Sequence, residues 1–499
     1  MPRRNFLVLL VALLASWLCY QRAARNRYAA TLTEAMNIVT ASYIHDVEPR
    51  VLFEGAMDGM IGKLDPYSAY TSPDEFNQFQ QQMEGEFTGV GIVVDPDEKN
   101  GRLIVLDALI GKPAYLAGIR AGDIILAIDD QDTKNVPLRD AIRMIRGEPG
   151  SKVKLRIQHA GRAEPAEYTL ERATIPLETV LGDGRGPDGK WIFRLANHPR
   201  IGLIRIFDSF GERTADEFRA ALATYKQPRQ EIDGLILDLR YNRGGLLPAA
   251  TEVCDMLLDG GLIVTTHGRN GVLLEDKEAT PGTELPLDVP IVVLVDRLSA
   301  SASEIVAACL QDHHRAAIAG QRTWGKGTVQ NVVQLEGGRS AIRLTIGTYR
   351  RKSGEEIHKW KDAKESDHWG VRPDSGLEAL LTNHQNDLVV LTRRRRDLIA
   401  WNELVRSADS LATAPAVDER AQANKPPPDD APPNSASDPP VPTPQSEDEG
   451  QSAAQTPSLE AEAAAAAKRD PATVDPQLRK ALEHLEQQIS GQAKAPGRA

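Results

Sequence analysis

The sequence predicts a multidomain α/β protein with a helical N-terminal segment, a small mixed-β domain, a larger α/β core and a disordered C-terminal tail. Its 499 residues correspond to about three domains at roughly 150 residues each. Apolar residues first recur at helical spacing, then alternate as in strands, and then form buried runs separated by helical stretches. This succession indicates that helical, β-rich and α/β units follow one another along the chain.

The overall charge and the cysteine content exclude several classes of protein. The chain carries 59 Lys and Arg against 70 Asp and Glu, a net charge of −11, so no global field would attract a nucleic-acid backbone. Three cysteines, Cys19, Cys254 and Cys309, are too few for a disulfide framework and lack the spacing of a zinc site. We therefore expect no nucleic-acid partner, no metal and no cofactor.

Residues 1–27 have the composition of a signal peptide or a short membrane anchor. Arg3 and Arg4 precede an apolar run from Phe6 to Tyr20, and further arginines follow that run. No clean small-residue cleavage site comes after it, so its removal stays an open question. The segment predicts export to the periplasmic side, with the N-terminus anchored to the inner membrane.

Residues 28–83 are predicted to form helices, because apolar residues recur there at helical spacing. Leu64-Asp65-Pro66-Tyr67-Ser68 interrupts this pattern, and Ser72-Pro73-Asp74-Glu75 carries the signals of a new helix start. The pattern itself indicates a small helical layer without evident chemistry.

Residues 86–174 change from helical to strand-like spacing. The loop Gly89-Val90-Gly91-Ile92 opens the first strand, and Gly118–Ile125 carries a turn followed by another strand. A lone Gly-x-Gly pair is most often a turn, but the ordered series of loop, strands and the helical stretch Leu138–Arg146 resembles a PDZ domain. The resemblance implies that N–H groups of residues 89–92 hold the terminal carboxylate of a peptide, which adds as a strand.

Residues 178–396 are predicted to form an α/β core. Three apolar runs are typical of buried strands: Ile201–Ile206, Gly234–Leu239 and Pro290–Val295. Helical stretches alternate with them at Ala215–Tyr225, Ala249–Leu258 and Ala302–Gln311. This alternation is the pattern from which the α/β class follows.

The tail, residues 406–499, differs from the rest of the chain. No Phe, Trp or Tyr follows Trp401, and 14 of the 32 prolines lie beyond residue 410. This composition buries too little apolar surface to fold, apart from isolated helices over 460–468 and 477–488. We expect the removal of residues 411–499 to leave the fold nearly intact.

One stretch of the core carries chemistry. Asp296–Ile305 follows a predicted strand and opens a helix, so a serine there, such as Ser301, is exposed at the strand end, where backbone N–H groups can stabilise an oxyanion. Lys326 follows 25 residues later between two glycines, which let the backbone approach and desolvate it. Desolvation lowers the pKa of a lysine, so its neutral amine can accept a proton from a serine.

These residues also fit roles other than Ser-Lys catalysis. Ser301 and Glu304 have the spacing of a helix capping box. Gly320–Lys326 nearly completes a phosphate-binding loop, but a glycine follows it in place of Ser or Thr, and a strand-like run in place of a helix. His313 and His314 could supply a base, but helix rise places them about 18 Å from the serine. The pattern favours a Ser-Lys site and leaves these other roles open.

The motifs together resemble the carboxyl-terminal processing peptidases, the tail-specific serine proteases that use a Ser-Lys dyad. The likeness covers roughly residues 31–380 and includes Gly59–Ser68, the PDZ module, Leu237–Gly245, Ser299–Ala307 and Gly325–Gln330. It implies that Ser301 is the nucleophile, that Lys326 is the general base and that Gln330 orients the lysine amine. It also implies a serine endopeptidase that cleaves exported proteins near their C-termini.

The same resemblance implies an oxyanion hole made by the N–H of Ala302 and one N–H at Gly244 or Gly245. It further implies a supporting carboxylate at Asp312. The chain departs from the family in two places: Arg243 replaces the proline of the usual Asn-Pro-Gly-Gly, and a charged insertion spans residues 359–369. The first departure puts the rigidity of the oxyanion loop in question.

Two serines compete with Ser301 for the role of nucleophile. Ser303 lies about 200° around the helix axis from Ser301, so the two cannot face the same lysine. Ser299 precedes the helix, where a hydroxyl can bond local backbone.

The partners expected for the enzyme are proteins or peptides with a free C-terminus, and a homo-oligomer is compatible with the sequence. The alternative function is an exported PDZ scaffold with an inactive hydrolase core.

Overall fold

A computed structural model of the chain describes residues 5, 10–17, 27–76, 86–97, 100–162, 164–186, 188–398 and 459–493. It has the mixed α/β architecture that the sequence predicts. Its helices are α1 (Arg27–Ser42), α2 (Pro49–Ile61), α3 (Pro113–Leu116), α4 (Leu138–Ile145), α5 (Thr214–Tyr225), α6 (Leu247–Leu257), α7 (Ala302–Asp312), α8 (Asn383–Asp397), α9 (Leu459–Ala466), α10 (Pro471–Val474) and α11 (Pro476–Ala493).

The strands of the described residues divide among a β-rich domain, the core and short connecting pairs. They are β1 (Ala69–Thr71), β2 (Glu86–Gly89), β3 (Ile92–Asp97), β4 (Arg102–Ala108), β5 (Ile124–Ile128), β6 (Gln131–Asp132), β7 (Lys152–Gln158), β8 (Ala166–Glu171), β9 (Ala173–Pro176), β10 (Val180–Leu181), β11 (Gly184–Arg185), β12 (Trp191–Ile192), β13 (Arg194–Leu195), β14 (His198–Ile206), β15 (Gly234–Asp238), β16 (Gly261–Gly268), β17 (Leu273–Ala279), β18 (Ile291–Val295), β19 (Ala316–Gly320), β20 (Thr328–Leu335) and β21 (Ser340–Arg350).

Most of the predicted signal peptide or anchor, residues 1–27, lies outside the described residues, as do residues 77–83 of the helical segment. Among the residues that the structure describes, no helix is both long and apolar enough to span a membrane.

The N-terminal segment is helical, as predicted, and it is also fastened to the core. Helix α2 begins at Pro49, whose missing N–H costs nothing in a first turn. The Arg50 guanidinium donates to Glu336 of the β20–β21 hairpin at 2.7 Å. The short strand β1 then pairs with β21, with Tyr70 opposite Ile342. The segment therefore contributes a strand to a sheet of the core.

The β-rich domain is an antiparallel sheet in the order β3-β4-β5-β7-β8, as expected for the predicted PDZ domain. Helices α3 and α4 contribute Ala114, Ala141 and Ile145 to its apolar core. Strands β2 and β9 pair where the chain enters and leaves the domain. Strand β3 lies at the edge of the sheet, and its outer side is unpaired within the described residues.

The core is built on a parallel sheet in the order β14-β15-β18-β19. Helices α5, α6 and α7 cover one face, where they pack on side chains such as Leu237 and Val293. Strands β16, β17, β20 and β21 form an antiparallel sheet that shares this apolar core through residues such as Val264 and Tyr349. The predicted α/β alternation thus produces one covered face of the parallel sheet.

Helix α11 covers the opposite face, and this contradicts the prediction of a disordered tail for residues 459–493. The two helices predicted within the tail are present as α9 and α11, but they are not isolated. The α11 residues Leu478, Ala481, Leu482 and Leu485 have the i, i+3, i+4, i+7 spacing of one helix face, and all are buried. They pack on the second face of the strands, which presents Leu203, Ile236, Val292 and Leu294. The remaining tail residues, 406–458 and 494–499, lie outside the described residues.

The prediction was wrong because the mean composition of the tail conceals the local pattern of α11. Parallel sheets are found almost only with both faces covered, and here the helices between the strands occupy one face. The amphipathic stripe of α11 is a short signal inside a Pro-rich, acidic region. Gly234 on β15 shows how closely the helix docks, since an added Cβ would lie 2.8 Å from the Leu485 side chain.

With α11 docked, removal of residues 411–499 should destabilise the core, and Leu485→Ala is the sharpest test. This substitution should lower the free energy of unfolding by about 2–5 kcal/mol, as for other buried leucines truncated to alanine. Chemical denaturation measures the change. The control is Glu483→Ala on the exposed side of the same helix, which should have little effect. Equal stability of the two variants would contradict the docking of α11.

Candidate active site

Ser301 lies at a sharp turn between β18 and α7. Its φ of 56° and ψ of −114° place a non-glycine residue in a strained region that costs about 1–3 kcal/mol. Gly244 approaches the turn so closely that an added Cβ would lie 2.7 Å from the Ser301 Cβ. The structure thus holds this serine in a conformation that favours glycine, as in sites where a nucleophile is raised above a strand end.

The three neighbouring serines have different hydrogen bonds. The Ser299 hydroxyl donates to the Leu239 carbonyl at 2.9 Å and accepts from the amide of Asp296 at 2.9 Å. The Ser303 hydroxyl donates to the Asn242 side-chain oxygen at 2.7 Å. The Ser301 hydroxyl donates to none of the described residues. Of the three hydroxyls, those of Ser299 and Ser303 donate to described acceptors, and that of Ser301 does not.

Glu304 joins the serine turn to the lysine loop. One carboxylate oxygen accepts from the amides of Ser301 and Lys326, both at 2.8 Å. The other accepts from the Thr323 hydroxyl at 2.5 Å and the Gly325 amide at 2.6 Å. Glu304 therefore caps α7, as its spacing from Ser301 predicts, and it also binds the loop that carries the lysine. No local sequence pattern indicates this second role.

Complete burial raises the pKa of Glu304 to about 7, although its four hydrogen bonds oppose the rise. Burial also lowers the pKa of Lys326, and the nearby positive charge of Arg343 lowers it further, while Glu304 opposes the shift. The lysine is thus held in surroundings that favour its neutral amine more than water does. This direction agrees with the desolvation that the flanking glycines predict.

The N-terminal segment supplies one wall of the lysine pocket. The Lys326 Nζ lies 5.3 Å from the centre of the Tyr67 ring. Asp65 accepts from the Tyr67 amide at 2.8 Å and from the Thr345 hydroxyl at 3.1 Å, which fixes this turn on β21. Sequence reasoning missed this role, and the available signal was the turn-forming Asp-Pro that interrupts the helical pattern.

Among the described residues, Gln330 makes no hydrogen bond to the lysine amine. Its side-chain amide donates to the hydroxyls of Thr328 at 2.7 Å and Thr345 at 3.3 Å. No hydrogen bond joins Lys326 Nζ to the Ser301 hydroxyl among the described residues. The orienting contact implied by the resemblance is therefore absent from this conformation, although both loops meet at Glu304.

The structure distinguishes the two candidate oxyanion glycines. The Gly244 amide donates to the Asn242 side-chain oxygen at 2.9 Å, so it is engaged. The amides of Gly245 and Ala302 donate to no described residue. An added Cβ at Gly245 would lie 2.3 Å from the Phe210 carbonyl oxygen, so this position requires glycine. The free donors near Ser301 are thus those of Ala302 and Gly245.

Arg243 does not loosen the oxyanion loop. Its backbone amide donates to the Asp208 carbonyl at 2.9 Å, a hydrogen bond that a proline at this position could not make. The Phe210 amide donates to the Gly244 carbonyl at 2.7 Å. The loop is therefore held to the segment that follows β14 without the proline of the family pattern.

Asp312 lies outside the site. It ends α7, about 16 Å from Ser301 by helix rise, and its carboxylate pairs with the Arg351 guanidinium at 2.6 Å. It contacts neither Ser301 nor Lys326. Its observed contact fastens the end of the helix to the chain after β21.

The PDZ loop has the geometry of a peptide-binding turn. Gly91 has a φ of 76°, and an added Cβ would lie 2.5 Å from the Lys112 Cβ, so glycine is required there. Val90 is buried in the domain core, and Ile92 begins the edge strand β3. Gly89 ends β2, directly before the turn. An extended peptide could therefore add to the free edge of β3 beside the loop.

Comparisons with known proteins match parts of the N-terminal segment, the PDZ domain and the α/β core. Residues 200–376 match the model of Peptidase family S41, residues 104–159 match that of a PDZ domain, and residues 20–74 match that of the Activating protease CtpB N-terminal domain. The solved photosystem II D1 C-terminal processing protease is 28% identical with a TM-score of 0.39, over 70% of this chain and 92% of that one.

Named relatives agree with the family models. The carboxy-terminal-processing protease of Bartonella bacilliformis is 35% identical over 323 residues, 64% of this chain and 70% of that protein. The carboxyl-terminal-processing protease of Synechocystis sp. is 35% identical over 327 residues, 65% and 70%. CtpA of Bacillus subtilis is 33% identical over 333 residues, 66% of each. The family predicted from the motifs is thereby confirmed: this chain belongs to the carboxy-terminal processing proteases, serine-type peptidases of family S41 with a PDZ domain.

Proposed function

We propose that this C-terminal processing protease cleaves its substrates through a Ser301–Lys326 dyad. The observation that supports this most is the buried Glu304 carboxylate, which accepts from the backbone amides of both residues. The strained turn and the Ser301 hydroxyl, which donates to no described residue, support the same assignment. Ser301 and Lys326 are both present, in loops that Glu304 joins, which favours this proposal over the alternative of an inactive PDZ scaffold.

The proposed reaction is acyl transfer. Neutral Lys326 takes the proton of the Ser301 hydroxyl as its oxygen attacks the peptide carbonyl carbon. The amides of Ala302 and Gly245 bind the oxygen that becomes negative. Lys326 then protonates the leaving amine, and water cleaves the acyl-enzyme. The lysine amine must turn from Tyr67 toward Ser301 for the first step, and catalytic hydrogen bonds often tighten only with substrate bound.

The PDZ domain is proposed to bind the C-terminal end of the substrate. The glycine turn at Gly91 and the free edge of β3 support this role. The proposed substrates are exported proteins, because Arg3, Arg4 and the apolar run after them predict export and anchoring at the periplasmic face of the inner membrane. Protease accessibility in spheroplasts tests this location, and a chain found only in the cytosolic fraction would contradict it.

The dyad is tested by substitution. Turnover should be abolished, with the fold kept, in each of three variants. Ser301→Ala removes the nucleophile, and Lys326→Ala removes the base. Lys326→Arg puts in its place a guanidinium, which cannot act as a neutral base. Peptide cleavage and labelling by a fluorophosphonate measure the effect. The label should map to Ser301 by mass spectrometry. A label on Ser299 or Ser303 would show that the nucleophile is wrongly assigned.

The acid limb of the pH–rate profile should report the charge on Lys326. Arg343 lowers the lysine pKa by like-charge repulsion, so Arg343→Gln raises that pKa, and a higher pH is needed to obtain the neutral amine. The limb of kcat/KM should therefore move upward by roughly a few tenths of a pH unit. Arg343→Lys keeps the charge and serves as the control. A downward shift, or an equal shift in both variants, would contradict the proposed base.

Recognition of the substrate C-terminus is tested with matched peptides. A peptide with a free C-terminal carboxylate should be cleaved faster than its C-terminal amide, because the loop N–H groups lose an anionic acceptor when the carboxylate is blocked. The difference should shrink in Gly91→Ala, since that side chain crowds Lys112 and strains a positive φ. Equal rates for both peptides in the unmodified enzyme would refute carboxylate recognition.

A further inference from the structure

We propose that Asp475, in the C-terminal segment, is a positioning residue for the oxyanion loop, acting through the buried Arg240. The catalytic core would then be competent only when α10 and α11 are docked against it. This inference rests on the proposed function, since it assumes that the loop Asn242–Gly245 supplies an oxyanion donor.

The Arg240 guanidinium donates five hydrogen bonds, and three of them are accepted by residues of the C-terminal segment. Arg240 is the second residue after β15, and its side chain is 2% exposed. Asp238 accepts from Nε at 2.9 Å and from Nη2 at 2.7 Å. Asp475 accepts from Nη1 at 3.1 Å and Nη2 at 2.8 Å, and Gln477 accepts from Nη1 at 3.0 Å. Three of the five guanidinium N–H groups therefore depend on residues more than 230 positions away.

Asp475 is itself fixed in place. Its side chain is 5% exposed, and its Oδ1 accepts from the amides of Gln477 and Leu478 at 3.1 and 3.0 Å. It thus caps the start of α11, where a negative charge is favoured by the helix dipole. One carboxylate therefore both begins the covering helix and holds the arginine.

From Arg240 the contacts lead directly to the oxyanion loop. The Arg240 amide donates to Asp238 at 3.0 Å, and the Tyr241 amide donates to Asp296 at 3.1 Å. The next residue, Asn242, accepts from the Gly244 amide and from the Ser303 hydroxyl through its side-chain oxygen. The segment 240–244 is thus held by side chains from three parts of the chain.

Loss of the Asp475 charge would leave the buried Arg240 guanidinium with one carboxylate partner, Asp238, in place of two. A buried guanidinium that loses a carboxylate partner is strongly disfavoured, so Arg240 would turn toward water or admit it. Either movement pulls on the backbone immediately before Asn242. A small displacement of a preorganised oxyanion donor is enough to slow acyl transfer, while substrate binding at the PDZ domain is untouched.

The test compares two variants of the full chain. Asp475→Asn keeps the size and the helix cap but removes the charge. Leu485→Val removes one buried methylene group but keeps α11 docked and every hydrogen bond of Arg240 in place, so it controls for stability. We expect kcat to fall between about tenfold and a hundredfold in Asp475→Asn, with KM within about twofold, and to stay near the unmodified value in Leu485→Val. Denaturation curves recorded in parallel measure the stability of both.

If Asp475→Asn does not fold, Gln477→Ala decides the question, because it removes one of the three contacts and should lower kcat severalfold with KM unchanged. The inference would be overturned if Asp475→Asn folds and has the same kcat as Leu485→Val, or if kcat is unchanged in Gln477→Ala. A fluorophosphonate label that maps to Ser301 in the unmodified enzyme separates these outcomes from failure of the proposed dyad, since mapping elsewhere would reject the dyad itself.

Discussion

The carboxyl ends of the parallel strands meet at one edge of the core sheet, and the arrangement of the site depends on this edge. The oxyanion loop follows β15, Ser301 follows β18, and the lysine loop follows β19. Because the strands are parallel and in register, these loops emerge side by side and bond to one another. The Ala300 amide donates to the Asn242 carbonyl, and the Trp324 amide donates to the Ser299 carbonyl, both at 3.0 Å.

Glu304 then sets the relation between the serine and lysine loops. A carboxylate can accept several hydrogen bonds at once, and all four donors around it belong to these two loops. The cost of burying it is offset by these bonds, and the same charge moderates the lowered pKa of Lys326. A residue whose spacing indicates only a helix cap is therefore also the link between the two proposed catalytic residues.

Contributions from outside the parallel sheet complete the site from two directions. The turn at Asp65–Ser68 comes from the N-terminal segment and reaches the lysine by bonding to Thr345 on β21. Asp475 comes from the other end of the chain and reaches Arg240 behind the oxyanion loop. The core is thus closed by segments that lie far from both Ser301 and Lys326, the proposed dyad, in sequence. Their placement shows why neither terminal segment can be treated as an accessory to the α/β core.

The sequence by itself determined the α/β class, the PDZ module, the family and the turn that carries Ser301. These follow from local signals: hydrophobic periodicity, glycines at turns, and a serine placed between a strand and a helix. The preference for Ser301 over Ser299 and Ser303 also agrees with the hydrogen bonds of the three hydroxyls. Each of these features rests on short-range patterns that recur along the chain, so a single sequence is sufficient to identify it.

Only the tertiary structure decided which distant segments meet. In it, the Gly244 amide donates to Asn242, while the Gly245 amide donates to no described residue. The Gln330 side chain donates to threonines rather than to the lysine, and Asp312 lies at the far end of α7. It also packed helix α11 onto the second face of the sheet. Composition cannot reveal such contacts, because each depends on a partner from a distant part of the chain. The apolar stripe of α11 needs an uncovered sheet face, and the Asp475 carboxylate needs a buried arginine.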